Sequence, residues 1–330
     1  MMASPDSPKL PKQDILQQAA DWFATLADDE VSEQDRAAWR QWLDKHQDHQ
    51  LAWQYVERVG LRFNQAQNQP GSGEAGRILK STRSELIQRR KLLSGGLTAI
   101  AGFTLWRYTP LAAYSQNALD TLTAGYKTGT GETHALTLSD RGQLWLNTAS
   151  AVDVRFTTHL RNIKLHRGEV LVQTSPDPRQ RPFVVTTNPG TLRALGTRFG
   201  VRKLQDSVRL SVYEGAVEIT THSGKTTAVP AGQGSMFNAT DIEAPYPVSD
   251  ARESWIRGVI VADSMPLGQL VAELSRYRHG YLGVNPAIAE LSVVGTFPID
   301  NPDQALAMLQ DALPLNVKRT LPWWISLEPQ

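Results

Sequence analysis

Through residues 12–64 the apolar positions fall at helical spacing, with Ile15, Ala19, Trp22, Phe23 and Leu26 on one face. Ser32 precedes a second run. With Asp35 three residues on it forms a variant of the capping box, opening a helix that carries Trp39, Trp42 and Leu43 in one stripe. Asp48 is placed to cap a third helix, where Leu51, Ala52, Tyr55, Val56 and Val59 repeat the pattern. Residues 1–67 therefore read as an all-α bundle. The polar stretch NQAQNQPGSGEAG ends the periodicity and reads as a linker, and residues 68–91 carry it into a basic segment.

From residue 125 to about 238 the period changes to two. QLWLN, AVDVRF, NIKLHRGEVLVQT, PFVVTT and VRLSVYEGAVEITT alternate apolar and polar positions between turns rich in Gly, Pro and Asn. Residues 115–245 are thus expected to be all-β, a sandwich or a solenoid-like stack. RGEVLV and YEGAVEI look like repeats of one β element turning at Gly168 and Gly215. Residues 246–330 are mixed. Strand-like RGVIVAD and LSVVGTFPI alternate with helices opened near Pro266 and Pro302, the rhythm of a small α+β module with βαβ character.

The run between Lys91 and Arg107 is uncharged for about 15 residues, fewer than the roughly 20 that span a bilayer comfortably. Its flanks favour a membrane over a buried core helix. Arg77, Lys80, Arg83, Arg89, Arg90 and Lys91 precede it against only Glu74 and Glu85, Arg107 can snorkel, and Trp106 and Tyr108 suit an interface. The expectation is a single transmembrane helix over residues 92–114. The pair Arg89 and Arg90 ahead of a modestly hydrophobic run also matches a twin-arginine export signal. The first residues lack the apolar core of a cleaved signal peptide, which places the amino terminus in the cytoplasm.

Composition narrows the chemistry. The 330 residues contain no Cys, which removes disulfides, thiolate metal sites and cysteine nucleophiles, and the net charge of +1 gives no global pull toward nucleic acid. A helix-turn-helix reading of the bundle lacks a basic face for phosphate, so no direct nucleic-acid contact is expected. His46 and His49 lie close together without further ligands, and neither a metal nor another cofactor is expected. One dipeptide could support a reaction. The Thr197 hydroxyl could attack the carbonyl of Gly196, turning the amide into an ester that water opens; the plainer reading is a turn between strands. Trp22, Trp39, Trp42 and Trp53 are either core or anchors for a partner.

The front AADWFATLADDEVSEQDRAAWRQWLDKHQDHQLAWQYVERV, the middle segments LNTASAVDVRF, LHRGEVLVQT, RPFVVTT and ALGTRFGVR, and the tail segments PLGQLVAELSRYRHG and LSVVGTFPI resemble the FecR family of iron-uptake regulators. The resemblance implies a transmembrane anti-sigma factor in the inner membrane, with its amino terminus cytoplasmic and its carboxyl terminus periplasmic; a role as sigma activator stays open beside inhibition. It implies that the front binds an extracytoplasmic-function sigma factor through Trp22, Trp39, Trp42 and Trp53. The periplasmic side would meet the signalling domain of a TonB-dependent outer-membrane receptor for iron-siderophores, with periplasmic and intramembrane proteases relaying the signal. It also implies that the Gly196–Thr197 bond can break spontaneously, a single-turnover event in a protein that is otherwise no enzyme. Two other classes stay open: a periplasmic ligand-binding protein of β fold, and a cytoplasmic transcription factor with a β sensor domain.

Overall fold

The capping box at Ser32 is formed: its side chain accepts from Asp35 N at 3.1 Å, and the Asp35 carboxylate reaches back to Ser32 N. In the computed structural model, which describes residues 11–28, 31–67 and 123–330, it opens α2 (Glu33–Lys45) between α1 (Gln13–Leu26) and α3 (Gln47–Gln67). Asp48 does not cap α3. It lies in the first turn, and the group that accepts from its N–H is His46 Nδ1 at 3.1 Å, which serves the orphan donor in its place. The bundle interior is small: Leu16, Ala19 and Ala20 of α1 meet Ala52 and Val56 of α3, and α2 contributes no fully buried side chain.

Residues 126–247 form two seven-stranded sheets. One runs β1 (Tyr126–Lys127), β4 (Ala151–Phe156), β5 (Arg161–Arg167), β7 (Phe183–Thr186), β8 (Gly190–Ala194), β11 (Ala216–Thr221) and β12 (Thr226–Pro230). The other runs β14 (Tyr246–Pro247), β13 (Gln233–Phe237), β10 (Val208–Glu214), β9 (Arg198–Lys203), β6 (Glu169–Gln173), β3 (Gln143–Leu146) and β2 (His134–Thr137). The alternation of the sequence places Val170, Val172, Leu210 and Val212 inward against Ile163, Val185 and Ile219. Each such side chain contributes on the order of 1.5–3 kcal/mol relative to exposure. The chain crosses repeatedly from one sheet to the other, at corners that include Gly168, Gly196 and Gly215, with φ of 86°, 80° and 73°. At Gly168 a Cβ would lie 2.3 Å from Ser150 Oγ, so glycine is required there on both counts.

A 3-10 helix (Asp250–Arg257) leads into the carboxyl-terminal module. There β15 (Val259–Pro266) pairs with β17 (Ser292–Pro298), and β16 (Tyr281–Val284), β19 (Trp324–Pro329) and β18 (Leu315–Leu321) form a second small sheet. The helices α4 (Leu267–Leu274) and α5 (Pro302–Ala312) pack on these, giving a mixed α+β module. Within this module β16 and β19 pair in parallel, as β5 and β7 do in the sandwich. Leu171 of β6 belongs to the same core as Leu270, Val271 and Leu274 of α4, so the sandwich and the module are continuous. The module also closes the bundle. Trp323 and Trp324 share one core with Leu16, Ala20 and Val56, and Gln17 Nε2 donates to Thr320 Oγ1 at 2.7 Å.

The expected fold class is wrong in one respect, the single transmembrane helix. No helix among the described residues is long and apolar enough to cross a membrane. Residues 92–114, expected to span, and Arg89 and Arg90, expected to signal export, lie outside the described residues. The uncharged run there, about 15 residues, is short for a bilayer.

Candidate functional site

The aromatic residues of the front form a connected series. Trp39 and Trp53 have ring centroids 5.0 Å apart, Trp53 and Phe23 5.7 Å, and Phe23 and Trp323 5.5 Å. The series runs from α2 through the bundle into the carboxyl-terminal module. Trp22, Trp39, Trp42 and Trp53 are all half-buried, which fits neither a pure core nor a free surface. Trp42 donates to Gln18 Oε1 at 2.8 Å and stacks on His49, whose Nδ1 lies 2.6 Å from the Trp42 carbonyl oxygen. His46 and His49 are thereby both engaged in the α2–α3 corner. Trp22 makes no ring contact among the described residues, and Trp39 Nε1 is buried without a hydrogen-bond partner. Burial pushes the Glu57 carboxyl up, against a hydrogen bond from Trp53.

As a surface, α2 is the exposed member: a helix holding Trp39 and Trp42 but no fully buried side chain. Helices that exist chiefly to fill a core bury a continuous stripe. The half-buried indoles instead offer large apolar area near the surface, the composition of an interaction hot spot.

Sequence reasoning missed the partner on the other side of the bundle. Tyr281 and Trp324 stack at 3.9 Å with 17° between planes, Tyr55 of α3 meets both edge-on, and the Tyr281 hydroxyl bonds Gln13. The signal lay in the adjacent pair Trp323 and Trp324, too much aromatic area for a terminal strand to bury alone.

Gly196 and Thr197 lie at a corner between β8 and β9. The left-handed φ of 80° is easily adopted by glycine, so the conformation alone signals no strain. The chemistry rests on Thr197. It is 4% exposed, and its Oγ1 is buried without a hydrogen-bond partner among the described residues. Its backbone is held by Thr174, whose Oγ1 accepts from Thr197 N at 2.8 Å and donates to Thr197 O at 3.2 Å. A buried hydroxyl lacking a partner is uncommon, since the penalty of desolvation is then uncompensated. The Gly196 side opens on a concavity shared with Thr174 and Asp177, where solvent can approach.

Comparison with known proteins adds to this geometry. The FecR protein family matches residues 124–218, the bulk of the sandwich, and a domain of unknown function, DUF4880, matches residues 17–59 of the bundle. Two crystal structures of a candidate anti-sigma factor from Parabacteroides distasonis ATCC 8503 are similar in fold, with TM-scores of 0.51 and 0.50 at 18% identity. In each case the likeness covers 62% of this chain and 98% of the solved one. No curated protein matches the chain.

Proposed function

We propose, from the match of residues 124–218 to the FecR protein family and of residues 17–59 to DUF4880, that this chain is an anti-sigma regulator whose helical front binds an extracytoplasmic-function sigma factor. The observation that carries the reading is α2, a helix of the DUF4880-matched front with Trp39 and Trp42 half-buried and no buried stripe of its own. A sigma factor docking there would complete the burial that α2 lacks. The solved proteins of similar fold, described as candidate anti-sigma factors, favour the same role.

Input would arrive at the other end. The carboxyl-terminal module is the part we assign to the signalling domain of a TonB-dependent receptor, with an iron-siderophore as the upstream stimulus and proteases as the step that frees the front. Its contact with the bundle through Trp323 and Trp324 supplies a coupling: any change in the module alters the support of α1 and α3. Self-cleavage at Gly196–Thr197 would be an accessory event. Thr197 Oγ1 attacks the Gly196 carbonyl carbon, the C–N bond breaks as the hydroxyl proton passes to nitrogen, and water hydrolyses the ester to a Gly196 carboxylate and a Thr197 amine. Thr174 Oγ1, already at the Thr197 nitrogen, is placed to steady the departing amine.

The test is co-purification of the full chain with each extracytoplasmic-function sigma factor of the host. One should be retained, and Trp39→Ala with Trp42→Ala should release it while the helical circular-dichroism signal persists. Retention of none would overturn the reading.

A further inference from the structure

A cavity of about 340 Å³ lies where the outer face of the second sheet meets the carboxyl-terminal module, a volume within the range of small-ligand sites. Its arginines divide into two sets. Arg276 is paired with Glu169 at 2.5 Å and Glu273 at 2.8 Å, and Arg202 with Glu273 at 2.6 Å, so these carboxylates are already engaged. Arg209 on β10 also lines the cavity, is only half-exposed, and has no carboxylate partner among the described residues. Arg252, on the 3-10 helix, lines the same cavity and is likewise unpaired among them. Burial, then the charges of Arg252 and Arg202, push the Arg209 pKa down, and the smaller opposing effects of Tyr246 and Glu273 do not offset them. Asp263, the remaining carboxylate on the wall, is exposed and bonded to neither.

A half-buried guanidinium near a second one is unfavourable in the empty protein, and an entering anion relieves it. Apolar wall is supplied by Leu171, Trp255 and Ile260, which face the same space. The rim carries a further departure from regular structure. At Ser264 the φ is 55°, a left-handed conformation that a residue with a side chain seldom adopts, at the point where the β15–β17 register shifts between Ala262 and Met265. That bulge bends the strand along the cavity edge.

We propose that this cavity binds an organic carboxylate, its charged end held by Arg209 and Arg252 and its apolar or aromatic body seated against Leu171, Trp255 and Ile260. The same chemistry is offered by a free aromatic acid and by an acidic side chain next to an apolar one in a polypeptide. The site straddles the joint between sandwich and module, so its occupant would stiffen that joint. The inference does not rest on the sigma-factor reading, and Arg209→Gln is expected to leave sigma-factor binding intact.

Titration calorimetry on the full chain separates the sources. The probes are phenylacetate, its neutral analogue phenylacetamide, and an acetylated, amidated tetrapeptide with one aspartate beside a phenylalanine. Phenylacetate or the peptide should bind, phenylacetamide should not, and Arg209→Gln should weaken binding by ~10-fold or more, as loss of a charge-assisted fork requires. Arg209→Lys should restore part of it. The Arg209→Gln protein should melt at the same temperature or higher, because it removes like-charge repulsion, which rules out misfolding as the cause. Tighter binding of the peptide would identify a polypeptide source, and tighter binding of phenylacetate a free acid. Equal binding of the acid and the amide, unchanged binding in Arg209→Gln, or no heat from either anionic probe at tens of millimolar would overturn the proposal.

Discussion

Gly60 of α3 lies against the indole of Trp323 so closely that a Cβ at this position would sit 2.9 Å from Cζ2. The contact joins the first and last parts of the chain, and no side chain larger than hydrogen fits without displacing the ring. Alanine is an ambiguous probe, because it gains about 1 kcal/mol of helix propensity over glycine while introducing the clash. Leucine is decisive. Gly60→Leu should cost roughly 1–3 kcal/mol by overpacking, lower the melting temperature, and expose the bundle to proteolysis ahead of the sandwich. Unaltered protease sensitivity would show that front and rear are not held by this contact.

Acid should loosen the joint between sandwich and module. Burial raises the Glu273 pKa, yet Arg202 and Arg276 outweigh it and hold the carboxyl at about 2 against an ordinary value of 4.5. A depressed carboxylate contributes stability that is complete above its unfolded pKa and lost as pH falls through the folded one. The window is therefore pH 4.5 down to about 2, and the contribution is at most about 3 kcal/mol. Urea unfolding from about pH 6 to about pH 3 should show Glu273→Gln less stable than wild type at the upper end, with the gap closing toward the lower. A constant gap would place the stabilisation elsewhere.

The tryptophans should separate into two groups. Trp39→Ala and Trp42→Ala on α2 remove half-buried rings, so each should cost less than the roughly 3–5 kcal/mol of a core aromatic while weakening a sigma-factor complex by ~2 kcal/mol, about thirtyfold. Trp53, packed between Trp39 and Phe23, should destabilise more and discriminate less. Circular dichroism beside binding assays distinguishes the groups, and parallel loss of both signals in all variants would make every ring structural.

Mass spectrometry of the incubated full chain tests the Gly196–Thr197 reaction. The expected fragment begins at Thr197, forms at a rate independent of protein concentration, and is absent from Thr197→Ala. Thr197→Ser should retain some cleavage. Thr174→Val keeps the shape of the residue but removes the hydroxyl at the Thr197 nitrogen; it should slow the cut and cost about 1 kcal/mol of stability. A chain that stays intact after prolonged incubation would leave Gly196 as a corner and nothing more.

Much of the architecture was legible because it is local. Period 3.6 in the front, period 2 in the middle and the Ser32–Asp35 spacing each depend on residues close in sequence, and each is present in the fold. Asp48 failed as a cap because His46, two residues earlier, offers an acceptor that the usual set of capping residues omits. What the sequence hid is long-range. Neither Gly60 against Trp323 nor Gln17 against Thr320 has a local signature, and the two arginines at the joint that have no carboxylate partner among the described residues, Arg209 and Arg252, stand far apart along the chain. No spacing rule could have paired them, since only the fold brings them to one cavity.

The repeated passage of the backbone between the two sheets has one more result. Strand β8 pairs with β11 and β6 pairs with β9, so the segments before and after Gly196 are interleaved through both layers. A nick at that corner would divide the covalent chain without dividing the particle. The two pieces would travel as one body, and only the unzipping of β6 from β9 and of β8 from β11 would release them, so a nicked domain would act as a closed clasp.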